Sequence, residues 1–147
     1  MENIIGKYKT VKVMSAIGGN PGIYPIEEVI AAYADNSPRE KMEMQRIADS
    51  VTEFTEDGRI VEWMKLPAGV PEEQVKAAID AGQFEGAEDG YVYKTKSEWK
   101  QEDGKFFYDT KISGVVMGEK QSSWTELTED ADGLIVYNAG MARIKKI

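Results

Sequence analysis

The sequence predicts a mainly β fold: an up-and-down antiparallel β-barrel of about eight strands in one domain over 1–147, with a two-helix insertion after the first strand and one further short helix. Three observations predict it. Asp-Gly steps recur between extended runs at 57–58, 103–104 and 132–133, and glycine tolerates the positive φ that tight hairpins require. The run Y-V-Y-K-T-K-S-E-W-K alternates between two faces, one aromatic and neutral, the other charged. Two stretches of helical spacing stand together before residue 50, ahead of the main series of strands. Closing such a meander into a tube removes the sheet edges that would invite aggregation.

Composition narrows the functions available. The chain has 147 residues, 41% of them hydrophobic, enough for one core that removes roughly 70% of the unfolded surface from water. Its net charge is −8 with the acidic residues dispersed, which disfavours nucleic acid and anionic membrane as partners. There is no cysteine, so disulfides, thiolate metal sites and thiol nucleophiles are excluded. There is no histidine either, which removes the Ser-His-Asp triad and imidazole metal ligands. No metal and no cofactor are expected. Carboxylates, Lys, Tyr and Ser remain for chemistry, and they act as acids, bases or nucleophiles only where burial shifts their pKa. The longest apolar runs are only about four residues, against about 20 for a membrane span, and no charged segment followed by an apolar one opens the chain. The expectation is no membrane insertion and a cytoplasmic location, unless a leader has been removed.

Along the chain, residues 4–14 read as extended, but the alternation slips. Tyr8 and Met14 share one parity while Val11 and Val13 take the other, which predicts a bulge or strong bend in the first strand. G-G-N-P-G at 18–22 reads as a loop. Ile26, Val29, Ile30 and Tyr33 then fall at helical spacing, with Glu27 and Glu28 in the first turn where the macrodipole favours them. Ser37, Pro38 and Glu40 compose a capping box for a second helix over about 38–48. V-T-E-F-T-E-D-G-R-I-V-E-W-M-K-L is a hairpin, and a third helix at 71–81 carries Val75, Ala78 and Ile79 on one face and stops at Gly82. After the long alternating run, F-F-Y-D-T-K-I-S-G-V-V-M reads as a strand up to a break near Gly118. S-S-W-T-E-L-T, L-I-V-Y-N and M-A-R-I-K-K-I follow as further strands.

The alternation nominates a ligand-binding inner wall. Tyr91, Tyr93, Thr95, Ser97 and Trp99 share a face on which rings supply apolar contact and hydroxyls orient a polar group; the same face could equally be plain core. Trp124 and the set Phe106, Tyr108, Thr110 and Ile112 could make a second wall, although Phe107 has the opposite parity. Met42 and Met44 could form a flexible lid surface or simply pack their helix. Lys94, Lys96 and Lys100 form a stripe on the opposite parity, as expected of an outer, solvated face. Glu126, Glu129, Asp130 and Asp132 are the densest acidic group, but their spacing lacks the offsets of a calcium loop and reads as a solvated turn.

The opening I-I-G-K-Y-K-T-V-K-V adds a resemblance. Gly6-Lys7-Tyr8 near one end and Arg143 near the other resemble the Gly-x-Trp and final-strand Arg signature of the lipocalin and fatty-acid-binding-protein (calycin) superfamily, with Tyr in place of Trp. The resemblance implies a barrel whose end is closed where first and last strands meet, by a planar cation lying over an aromatic face. The helix pair is similar to the lid of the fatty-acid-binding branch. Two departures stand out: the helix at 71–81 has no counterpart there, and that branch's Arg-x-Tyr carboxylate clamp here reads Arg143-Ile144-Lys145, which implies a structural Arg143. The implied function is non-catalytic binding of a small, mainly apolar ligand inside the barrel, reached beneath the helical insertion. The alternatives are an enzyme on the same barrel, with Asp109 or Glu62 as the sort of acid or base involved, and a packed barrel that serves as an interaction module. An open helix-grip sheet is the competing fold, and N-A-G-M-A-R-I-K-K-I is short for the C-terminal helix it needs.

Overall fold

A computed structural model describes residues 3–33, 37–112, 114–120 and 122–147. In chain order the elements are β1 (Gly6–Ile17), β2 (Asn20–Pro25), α1 (Ile26–Ala32), α2 (Pro38–Asp49), β3 (Val51–Phe54), β4 (Arg59–Lys65) and α3 (Glu72–Asp80). They continue as β5 (Gly86–Glu88), β6 (Tyr91–Glu102), β7 (Lys105–Asp109), β8 (Val115–Val116), β9 (Glu119–Lys120), β10 (Trp124–Glu126), β11 (Thr128–Glu129), β12 (Ile135–Tyr137) and β13 (Ala142–Lys146).

Antiparallel pairing follows one path, β10-β7-β6-β4-β3-β1-β13-β12-β11. The first and last strands are neighbours, with Tyr8 opposite Lys146 and Thr10 opposite Ile144. The two ends of the path, β10 and β11, are consecutive in the chain and separated by Leu127 alone. Leu127 donates its N–H to the Phe106 carbonyl at 2.8 Å and buries its side chain, so it carries the ladder from one end of the sheet to the other. The result is a nearly closed barrel in which Trp124–Glu129 acts as one strand position of eight. β2 flanks β1, β5 flanks β6, and β8 with β9 makes a separate hairpin.

Two bulges decide which side chains enter the tube. In β1 the register against β13 shifts between Thr10 and Lys12, so Val11 is extra and Tyr8, Thr10 and Val13 all take the inner side. This is the bend the slipped alternation predicts. In β6 the register against β4 shifts: Ile60 lies opposite Ser97, but Val61 lies opposite Thr95. Lys96 is the extra residue, and beyond it the faces exchange. Ser97 and Trp99 therefore face inward, whereas Tyr91, Tyr93 and Thr95 pair with Lys65, Trp63 and Val61 on the outer face. The five-residue aromatic wall expected from alternation is not one surface.

Other expectations are corrected in the same way. Trp124 pairs with Asp109 on the outer face, where the Lys100 ammonium lies 4.4 Å from its ring centroid. β7 ends at Asp109 instead of running on toward Gly118, so Phe106 and Tyr108 are buried in the tube while Ile112 is 70% exposed. G-G-N-P-G is only partly a loop: Gly18 and Gly19 make the turn at φ 63° and 80°, and Asn20 begins β2. Ser37 occupies the N-cap of α2 without a side-chain capping bond, although Pro38 opens the helix as expected.

The signature residues also exchange roles. Arg143 lies three residues before Lys146, hence on the opposite face, where its Nε sits 3.3 Å from Asp130 and its Nη1 donates to the carbonyls of Gly140 and Ala142. The cation facing Tyr8 is Lys146, whose Nζ lies 6.0 Å from the ring centroid. Lys146 stretches over Gly6, where an added Cβ would meet its Cε at 2.6 Å, and Gly6 itself has φ 144°, a conformation reserved for glycine.

Candidate functional site

The barrel interior is divided along its axis. At one end, rings interlock: Tyr8 edge-on to Phe54 at 5.4 Å between centroids, Phe54 edge-on to Trp99 at 6.4 Å, and Trp99 tilted on Phe106 at 6.0 Å. Ile4, Ile60, Leu127 and Ile144 fill the spaces between them, all buried. Polar atoms here are already paired. The Tyr8 hydroxyl donates to the Ile4 carbonyl at 2.7 Å, and Trp99 Nε1 donates to the Thr55 carbonyl at 2.8 Å. Burial pushes the Tyr8 phenol pKa up, so it stays protonated.

The other end is open. A cavity of about 410 Å³ is floored by inward-facing residues of five strands, Thr10, Thr52, Glu62, Lys96 and Tyr137. Around its mouth stand Met14, Met44, Ile47 and Met141, together with Ser50 and Asn138. The helices place that rim: Val13, Ile26 and Val29 make a second small core, against which Met44 and Ile47 of α2 pack. A second cavity of about 240 Å³ between β7 and the turn after β12 shares Lys96, Tyr137 and Asn138 with the first. Lys96 thus stands where two openings meet, and it does so because the β6 bulge turned it inward.

The floor is charged but balanced. Lys96 Nζ lies 3.9 Å from the Glu62 carboxylate and 5.8 Å from the Tyr137 ring centroid. Tyr137 leans on Tyr108 at 5.0 Å, and burial, with added repulsion from Tyr108 and Glu62, pushes its phenol pKa well above the ordinary value. It is a neutral hydrogen-bonding group at neutral pH. The Tyr108 hydroxyl accepts the Ala139 N–H at 2.9 Å. Asp109 is not arranged as a general acid. The Lys111 backbone N–H, the Ser123 hydroxyl and the Lys111 ammonium hold its carboxyl below the ordinary range and keep it ionised. Ser97, in turn, spends its hydroxyl on the Asp109 carbonyl.

Of the residues nominated from alternation, Ser97 and Trp99 lie inside, Trp99 in the packed end and Ser97 on the smaller cavity. Tyr91, Tyr93 and Thr95 belong to an outer surface, where the Trp63 ring lies 4.5 Å from Tyr93 and 4.4 Å from the Lys7 ammonium while its Nε1 donates to Glu53. A shallow outer groove of about 270 Å³ runs beside it past Lys9, Tyr91 and Ile147. Thr95 is tied up by the Glu85 carboxylate. Met44, but not Met42, faces the cavity; Met42 is 73% exposed. Among the described residues no group of three or more acidic side chains is placed to hold a metal.

The residues that alternation did not nominate are Thr10, Thr52, Lys96 and Tyr137. One signal was present: Ile60, Glu62 and Met64 share the inward parity of a short strand, and a carboxylate on a core parity marks an interior that is not solid. No protein-family model, curated protein or solved structure matches the chain.

Proposed function

We propose that this protein binds a small amphipathic molecule without chemical conversion, in the open half of the barrel beneath α2. The observation that carries the reading is the division of the interior: one half is filled by packed rings, while the other keeps a cavity of about 410 Å³ beside three methionines and Ile47. The rim would take an alkyl or aryl portion, and the floor its polar end. Methionine suits a rim that adapts to its occupant. A ligand wholly apolar fits less well, because Glu62 and Lys96 would lose water without gaining partners.

The same reading extends to ancestry. An up-and-down ring of eight strand positions, first and last strands paired, and two helices over one end support a distant relationship to the lipocalin and fatty-acid-binding-protein superfamily. In this reading Lys146 takes the place of the aromatic-facing arginine.

The methionine methyl groups make the test direct. In a spectrum of 13C-methyl methionine, 1-octanol should shift the signals of Met14, Met44 and Met141 in a saturable way and leave Met117 unmoved. Thr52→Trp, which fills the floor, or Met44→Trp, which fills the rim, should abolish the response. Equal shifts at Met117, or an undiminished response in both variants, would refute the site.

A further inference from the structure

The floor of the cavity contains more unused hydrogen-bonding capacity than a nonpolar ligand could satisfy. Among the described residues no hydrogen bond joins the hydroxyls of Thr10, Thr52 or Tyr137 to another protein group, and no polar side-chain atom is both fully buried and unpartnered. All three residues line the cavity, so these hydroxyls are available to what it holds. Glu62 and Lys96 face each other across it at 3.9 Å, the long limit of an ion pair, with side chains 31% and 50% exposed. Each charge is steadied by the other but saturated by neither.

That pairing constrains the charge of what binds. An anionic head drawn to Lys96 would sit within a few ångströms of the Glu62 carboxylate, and a cationic head drawn to Glu62 would sit as close to Lys96. In both cases attraction and repulsion nearly cancel, and the loss of the head's hydration shell is left uncompensated. An uncharged group with both a donor and an acceptor suffers neither penalty. Its N–H or O–H can donate to Glu62, its oxygen can accept from Lys96, and the hydroxyls of Thr10, Thr52 and Tyr137 can supply the remaining bonds.

Resting on the reading of this cavity as an amphiphile site, we infer that it selects ligands whose buried end is an uncharged donor-acceptor group, of which a carboxamide is the simplest case. Selection comes from the Glu62–Lys96 pair, so removing either charge redirects it.

Titration calorimetry with four probes of one chain length tests this: octanamide, octanoate, octylammonium and the zwitterion 2-aminooctanoate. Octanamide should bind at least tenfold tighter than octanoate or octylammonium, each of which meets one like charge, and than 2-aminooctanoate, whose two ionic groups both lose hydration on entering. Glu62→Gln should strengthen octanoate at least tenfold, and Lys96→Gln should do the same for octylammonium. Both sites are partly exposed, and a merely structural role would not move the preference in opposite directions. A charged or zwitterionic probe that binds wild type as tightly as octanamide overturns the head-group inference and leaves the cavity reading standing. So does a preference that the two variants leave unchanged. Failure of all four probes to bind, with 1-octanol also inert toward the methionine methyls, overturns both.

Discussion

The two halves of the barrel use the same strands for opposite ends. Phe54 and Thr52 lie two residues apart on β3, and Ile60 and Glu62 two apart on β4, all on the inner face. Phe54 and Ile60 are fully buried in the ring-packed half, whereas Thr52 and Glu62 line the open one. Closure of the sheet and emptiness of the tube are therefore separate properties. A ring of strands is held shut at one end by aromatic packing, and this frees the other end from the need to be filled.

Substitutions should register that division, beginning with the largest effect. Phe54→Ala opens a void among Tyr8, Trp99 and Tyr137 and should cost about 3–5 kcal/mol in urea denaturation. Met44→Ala on the rim should cost no more than about 1 kcal/mol, because one side of Met44 already faces empty space. Equal losses would break the distinction between the halves.

Gly6→Ala probes the seam where first and last strands meet. Its φ of 144° should make the variant about 1–3 kcal/mol less stable, and Lys146 should be displaced from the Tyr8 ring. A nearly neutral result would mean that the seam contributes little to closure. Lys146→Met separates the causes, since it removes the ammonium but keeps the chain that covers Gly6.

Alkaline titration sharpens the comparison. Tyr137 and Tyr8 have folded-state pKa values raised above those of the unfolded chain, chiefly by burial. Their contribution is whole below about pH 10 and is lost as pH rises through the folded values, because the unfolded chain there releases protons that the folded one retains. For Tyr137 the slope should approach about 1.4 kcal/mol per pH unit, with Tyr8 acting in the same direction. Tyr137→Phe should remove one share of it, measured as the midpoint of thermal unfolding against pH. The smallest effect belongs to Thr52→Val, expected within about 0.5 kcal/mol in stability while weakening any ligand that hydrogen-bonds the floor. A large loss of stability there would mean the floor is part of the core after all.

Much of the architecture is legible in the residues. Asp103-Gly104, with φ 52° and 77°, and Gly58, at φ 83°, turn where their chemistry says they should. The helix over Glu72–Asp80 ends ahead of Gly82, as its spacing indicates. The slip of parity around Val11 correctly signals a bulge. The comparable bulge at Lys96 is silent, because Y-V-Y-K-T-K-S-E-W-K alternates perfectly on paper. Nothing local says that strand β4 skips a residue of it. Arg143 and Lys146 pose the same difficulty: either cation could face Tyr8, and the register of β13 against β1 chooses Lys146.

By itself the sequence determined the class of fold, the turns, the helices and the absence of thiol and imidazole chemistry. Each of these depends on the identity of a residue or on its near neighbours, through φ preference, periodicity and side-chain pKa. Only the tertiary structure decided which face of β6 is inside, which lysines enter the tube and where packing stops. Those outcomes depend on hydrogen-bond register between strands distant in the chain, and a single unmatched residue exchanges inside for outside along everything beyond it.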